Sequence, residues 1–250
     1  MRGAVVSFAP AWLAAAALIA SGCSLFDGVG GGGLSFDLPA KTFRVDPADP
    51  RWWPSPPQGV PGVVCRGPAA LVTDCCQPPA PMSAVDCQEY PLGCDDDGMC
   101  SLAFDYDDSV EIDLGRDVPA LQHRRGWVLE QATLAAIDTR VTAQVTRDGT
   151  ETTVEGVDVL PLRAASLYAA PMGAASAHAA GAVFLAGVPL GSGEYHVTLS
   201  PDARVALSAF LTDFNTPFTL ILSSHVVVRG APVPTEVMQV ELDGRVDASF

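Results

Sequence analysis

The sequence predicts a mainly β chain. The expected architecture is an antiparallel β-sandwich or open barrel with one short helix, preceded by a Pro-rich disulfide module. Three observations carry this. From residue 102 onward, apolar residues alternate with polar ones in several short runs. Gly, Pro and Asp-Gly turn signals separate those runs. One stretch alone, 200–214, combines helical spacing with a cap, and no strand–helix–strand rhythm repeats.

The first 23 residues, MRGAVVSFAPAWLAAAALIASGC, have a single early cation, Arg2. An apolar stretch follows from Trp12 to Ala20, then the small residues Ser21 and Gly22, then Cys23. A run this short with these flanks reads as a signal peptide over 1–22 rather than a spanning helix. These residues resemble the lipobox of bacterial lipoproteins. Ser21 and Gly22 match its small positions and Cys23 its modified cysteine, while Ala20 stands where that family usually has Leu. The resemblance implies a diacylglyceryl group on the Cys23 thiol, removal of residues 1–22 and acylation of the new amine. Ser24, in place of an aspartate, implies the outer membrane. Two or three acyl chains suffice for stable anchoring. The resemblance covers about a tenth of the chain and concerns address, not activity.

Residues 23–50 read as a lipidated flexible tether, because the glycine run from Gly28 to Gly33 buries nothing. That run lacks the Lys-Ser/Thr pair that a phosphate-binding loop needs. Residues 51–101 read as a Pro/Cys-rich module. Prolines from RWWPSPPQGVPG to CCQPPAP exclude long helices and central strands. With Cys23 set aside, six cysteines remain: Cys65, Cys75, Cys76, Cys87, Cys94 and Cys100. An even, clustered set in an exported chain implies disulfides. Excluding a strained bond between adjacent Cys75 and Cys76 leaves about 12 of about 15 pairings open. Zinc is disfavoured, because its paired cysteines usually stand two to four residues apart. Trp52 and Trp53 beside Pro54 read as a plug that docks this module onto the β domain.

Asp95, Asp97, Asp105 and Asp107 form a weak calcium candidate, since hard cations take clustered carboxylates. The EF-hand pattern fails. With Gly98 at its sixth position, Gly93 would be first and Phe104 twelfth, where Glu is required. No metal and no cofactor is expected.

Residues 102–250 read as the β domain. Leu102, Phe104 and Tyr106 alternate, as do Val110, Ile112 and Leu114. Ile137 to Val145 alternate up to the Asp148-Gly149 hairpin signal, and Thr152 and Val154 begin the return. Val157 to Leu162 form another apolar run edged by Pro161. Residues 164–180 are small and Ala-rich, and read as loop or weak helix. Val183 to Leu185, and Tyr195, Val197 and Leu199, read as short strands. Ser200 caps a helix with Pro201 in its first turn, and Ala203, Leu207, Phe210, Leu211 and Phe214 follow helical spacing. Phe218 to Arg229 is a long apolar strand. In the last segment Met238, Val240, Leu242, Val246, Ala248 and Phe250 share one face, and Glu241, Asp243, Arg245 and Asp247 the other.

The net charge is -15 and Lys41 is the only lysine, which argues against nucleic-acid binding and against a polybasic membrane contact. The four histidines, His123, His178, His196 and His225, show no metal spacing. Around Ser192 the run LGSGE lacks the nucleophile elbow. The expectation is a non-enzymatic, membrane-anchored lipoprotein with an envelope protein or glycan as partner. The general arrangement is similar to Gram-negative envelope lipoproteins. Two rivals are kept: an apolar-ligand carrier with residues 164–180 as lid, and a hydrolase using His196 or His225.

Overall fold

Strict alternation of buried and exposed residues along Val237–Ser249 shows how this chain makes its sheets. Met238, Val240, Leu242, Val246 and Ala248 face inward, while the intervening charges face water. A computed structural model describes residues 33–46, 92–94, 97–124, 126–147, 150–154, 164–191, 193–229 and 237–250. In chain order the strands are β1 (Gly33–Val45), β2 (Leu92–Cys94), β3 (Cys100–Ile112), β4 (Gln131–Leu134), β5 (Ala136–Arg147) and β6 (Thr150–Val154). They continue as β7 (Ala164–Pro171), β8 (Val183–Pro189), β9 (Gly193–Thr198), β10 (Phe218–Arg229) and β11 (Val237–Ser249). The helices are α1 (Leu114–Asp117), α2 (Pro119–Gln122) and α3 (Pro201–Thr212).

The strands form two antiparallel sheets. One runs β1-β11-β5-β6, with β4 also paired to β11 and β9 to β5. The other runs β2-β3-β10-β7-β8. Their inner faces share one apolar cluster, from Phe43 and Val240 of the first sheet to Leu167 and Leu220 of the second. The chain is therefore mainly β and sandwich-like.

Glycines led the sequence reading to place residues 33–45 in a tether. They form β1, which pairs with β11 along its length. The alternation was hidden by a bulge. Leu38 pairs with Gly244 but Lys41 with Leu242, so β1 holds one residue more than its partner there. Inward positions are even before the bulge (Phe36, Leu38) and odd after it (Phe43, Val45). Pro39 sits at the bulge, where its missing N–H is tolerated. The outer edge of β1 is not bare. The Arg44 N–H donates to an Asp108 carboxylate oxygen at 3.0 Å, and the Tyr106 hydroxyl donates to the Arg44 carbonyl at 2.8 Å.

The Ala-rich stretch is a second correction. Ala164–Pro171 is β7, held between β10 and β8. Ala165, Leu167 and Ala169 point into the core, where small side chains fit between two sheets. Pairing on both sides overrides the weak strand preference of alanine. Leu114 does not extend β3. It opens α1, where the Asp113 side chain accepts a hydrogen bond from the Arg116 N–H. The single expected helix is α3. Ser200 caps it, accepting from the Ala203 N–H at 3.2 Å, and Ala203, Leu207 and Leu211 are buried. It packs on β4 of one sheet and β8 of the other. Gly244 lies where a Cβ would meet Leu134 at 3.0 Å and the Ala136 carbonyl at 3.2 Å, so its lack of a side chain lets β4 and β5 both reach β11.

Candidate functional site

Outward-facing charges on β11, β5 and β9 are brought side by side by register alone. Asp243 stands opposite Asp138, and Asp138 opposite His196. One row away, Glu241 stands opposite Arg140, and Arg140 opposite Glu194. These residues, with Thr139 and Tyr195, line an open depression of about 520 Å³. His196 Nδ1 lies 2.7 Å from Asp138 Oδ1. Arg140 forms an ion pair with Glu194. Four carboxylates against one guanidinium give these five groups a formal charge of -3.

Asp243 records that crowding. Partial burial, and then the carboxylates of Asp138, Glu241 and Asp37, raise its pKa above the ordinary range, and Arg140 only partly opposes them. Hydroxyls nearby are already engaged. Thr139 Oγ1 points inward and donates to the Tyr195 carbonyl at 3.5 Å, and the Tyr195 hydroxyl donates to the Gly191 carbonyl at 2.8 Å. No serine lines the depression among the described residues. The arrangement is suited to attracting cations, and the hydroxyls that line it among the described residues are engaged with backbone carbonyls rather than with the His196–Asp138 pair.

A second pair of the same kind lies on the other sheet. His225 stands opposite Asp105, with Nδ1 2.7 Å from Oδ1. Both side chains are 62% exposed, so water competes for the contact. His123 follows α2 and is exposed, as is His178 in the turn after β7.

The remaining residues singled out from sequence fall as follows. Cys23, Cys65, Cys75, Cys76, Cys87, Asp95, Trp52 and Trp53 lie outside the described residues. Cys94 is in β2, opposite Cys100 in β3. Cys100 is buried and disulfide-bonded. Asp97 is in the turn before β3. Asp105 faces His225, and Asp107 accepts a hydrogen bond from the Ala177 N–H at 3.4 Å. Among the described residues, no three His, Cys, Asp or Glu side chains are grouped to hold a metal ion.

No family model matches the chain, and no curated protein matches it. A solved chain from Desmodium yellow mottle tymovirus aligns with 100% of this chain and 92% of its own, at 11% identity. Its TM-score is 0.23, and that likeness carries no argument.

The sequence reading missed the depression around Asp243. Part of the signal was present, because β11 was read with Glu241 and Asp243 outward and β5 and β9 were read as alternating strands. Which charges become neighbours depends on register between strands far apart in the chain, and alternation alone does not fix that.

Proposed function

We propose that this chain is an exported, non-enzymatic lipoprotein, anchored through Cys23 at the outer membrane, whose β-sandwich serves as an envelope binding or structural module. The carrying observation is the run Leu18-Ile19-Ala20-Ser21-Gly22-Cys23 behind an apolar stretch and Arg2. Gly33, where the sandwich begins, stands ten residues beyond Cys23 (33 − 23). Ten residues span at most about 35 Å, so the sandwich would work close to the bilayer. The acidic depression across β11, β5 and β9 is the contact face we favour, and its formal charge of -3 suits a cationic group on an envelope protein or glycan.

Two observations count against the rivals. The segment read as the carrier's lid is β7, built into a sheet. A hydrolase built on His196 would need a nucleophile in the depression, and among the described residues the hydroxyls there, of Thr139 and Tyr195, bond to backbone carbonyls.

The test is the intact mass of the membrane-extracted protein before and after reduction. A mass starting at Cys23, carrying acyl chains and gaining about six protons on reduction, is expected for an anchored chain with three bridges. An unacylated mass with free thiols would overturn the reading and reopen thiol and metal chemistry.

A further inference from the structure

Trp127 is 56% exposed and Val128 is 66% exposed, at the start of an apolar sequence Trp127-Val128-Leu129. Large apolar side chains in water are ordinary when scattered and informative when held in place. These are held. The Asn215 side chain clamps the backbone on both sides, accepting from the Gly126 N–H at 3.1 Å and donating to the Trp127 carbonyl at 2.9 Å. Gly126 has a φ of 86°, a conformation that favours glycine, and it turns the chain into the clamp. The Leu129 N–H then donates to the Thr212 carbonyl at 3.2 Å, tying the segment to the end of α3. The Trp127 ring meets the Phe250 ring edge-on at 5.5 Å between centroids. The Arg124 guanidinium lies over both rings, 4.4 Å from the centre of Phe250 and 5.7 Å from that of Trp127.

The position of this patch in the molecule identifies its partner. Ser249 pairs with Gly33 on one side and with Gln131 on the other. The Glu130 N–H donates to the Ser249 carbonyl at 2.8 Å. Trp127 therefore sits at the end of the first sheet where β1 begins. Gly33 and Gln131 are separated by two strand spacings, about 10 Å. Gly33 opens β1 at this end, ten residues after Cys23 in the sequence.

We propose that Trp127, Val128 and Phe250, with Arg124 over the two rings, form a docking patch for the headgroup–acyl boundary of a phospholipid bilayer. This rests on the lipid anchor proposed for Cys23. Tryptophan favours that boundary, because its ring is apolar and its N–H reaches water. The contact is aromatic rather than electrostatic, as the net charge of -15 requires. The acyl chains supply the attachment, and the patch orients the sandwich by placing the β1 end against the bilayer.

The acylated full-length mature protein would be reconstituted into vesicles of phosphatidylcholine brominated on the upper acyl carbons. The Trp127 contribution to fluorescence is the difference between wild type and Trp127→Phe. Bromine should quench it, and Val128→Asp, a charge placed at the boundary, should cut that quenching about twofold or more. Thr153→Asp is the control. Thr153 is exposed and pairs with Gln144, which pairs with Val237, at the opposite end of the same sheet. It should leave the quenching unchanged. Melting curves would confirm that each variant is folded. An acylated, vesicle-bound protein with unquenched Trp127 overturns the docking patch and leaves the anchor standing. A dimer broken by Val128→Asp, with no quenching, reassigns the patch to a second copy and overturns it too. A mature protein without acyl chains overturns the anchor and this inference together.

Discussion

Asp243 shows how one residue feels a whole sheet face. Its carboxyl is pushed up by partial burial and by Asp138, Glu241 and Asp37, so its charged form costs stability in the folded chain. That cost is absent below the unfolded pKa, about pH 4, and grows as pH rises through the higher folded value. Asp243→Asn should therefore raise the melting temperature at pH 7. The gain should shrink on acidification and vanish near pH 3, read by thermal denaturation across pH. An equal gain at pH 3 would mean that charge crowding is not its source. Asp117 behaves oppositely. A hydrogen bond from Arg116, and then one from Lys41, hold its carboxyl below the ordinary range, despite some burial. Its contribution is present above about pH 4 and is lost as pH falls further. The only lysine thus ties β1 to α1, with Lys41 Nζ 3.1 Å from Asp117 Oδ2. Lys41→Gln should destabilise the chain by about 1 kcal/mol or less, measured by denaturant unfolding.

At the scale of elements, the bulge in β1 has the clearest consequence. One extra residue near Pro39 lets Phe36 and Leu38, and also Phe43 and Val45, face the same core. Deleting Ala40 would make the count equal and turn one pair outward. With about 1.5–3 kcal/mol for each large apolar side chain lost from the core, the deletion should cost several kcal/mol or prevent folding. A near-native denaturation midpoint would mean that the register slips without penalty. The same bulge explains why β1 could not be read from the sequence. Its two halves have opposite parity, so no single alternation runs through it, and it opens on glycines. Residues with one uninterrupted period were legible. The limits of β10, the Ser200 cap and Pro201 start of α3, and the two faces of β11 all stand in the structure where the sequence puts them. The β5–β6 pairing was legible from its turn signal as well. β7 was not, because its alanines carry little preference of their own and take their state from β8 and β10. The clamp on Trp127 was also hidden, since it joins residues 88 and 89 positions apart through one asparagine side chain.

For the whole molecule, closure of the first sheet depends on joining segments from far apart. β1 covers one edge of β11, and the Arg44 backbone is in turn covered by Tyr106 and Asp108. Removing residues 33–45 should bare a long ladder of unpaired N–H and C=O groups on β11. That shortened chain should aggregate where the parent stays dispersed, as light scattering at matched concentration would show. A dispersed, cooperatively melting product would mean that β1 is dispensable. The central place of β11 also has a temporal side. β1, β4 and β5 all hydrogen-bond to it, yet each of them precedes it in the chain by roughly a hundred residues or more. Until β11 is available, β5 can pair with β6 and β9, but β1 and β4 lack the strand that joins them to the sheet. Contacts of such long sequence separation form late and slowly. If the chain is exported as proposed, that order would delay completion of the first sheet until β11 has emerged, a delay set by topology.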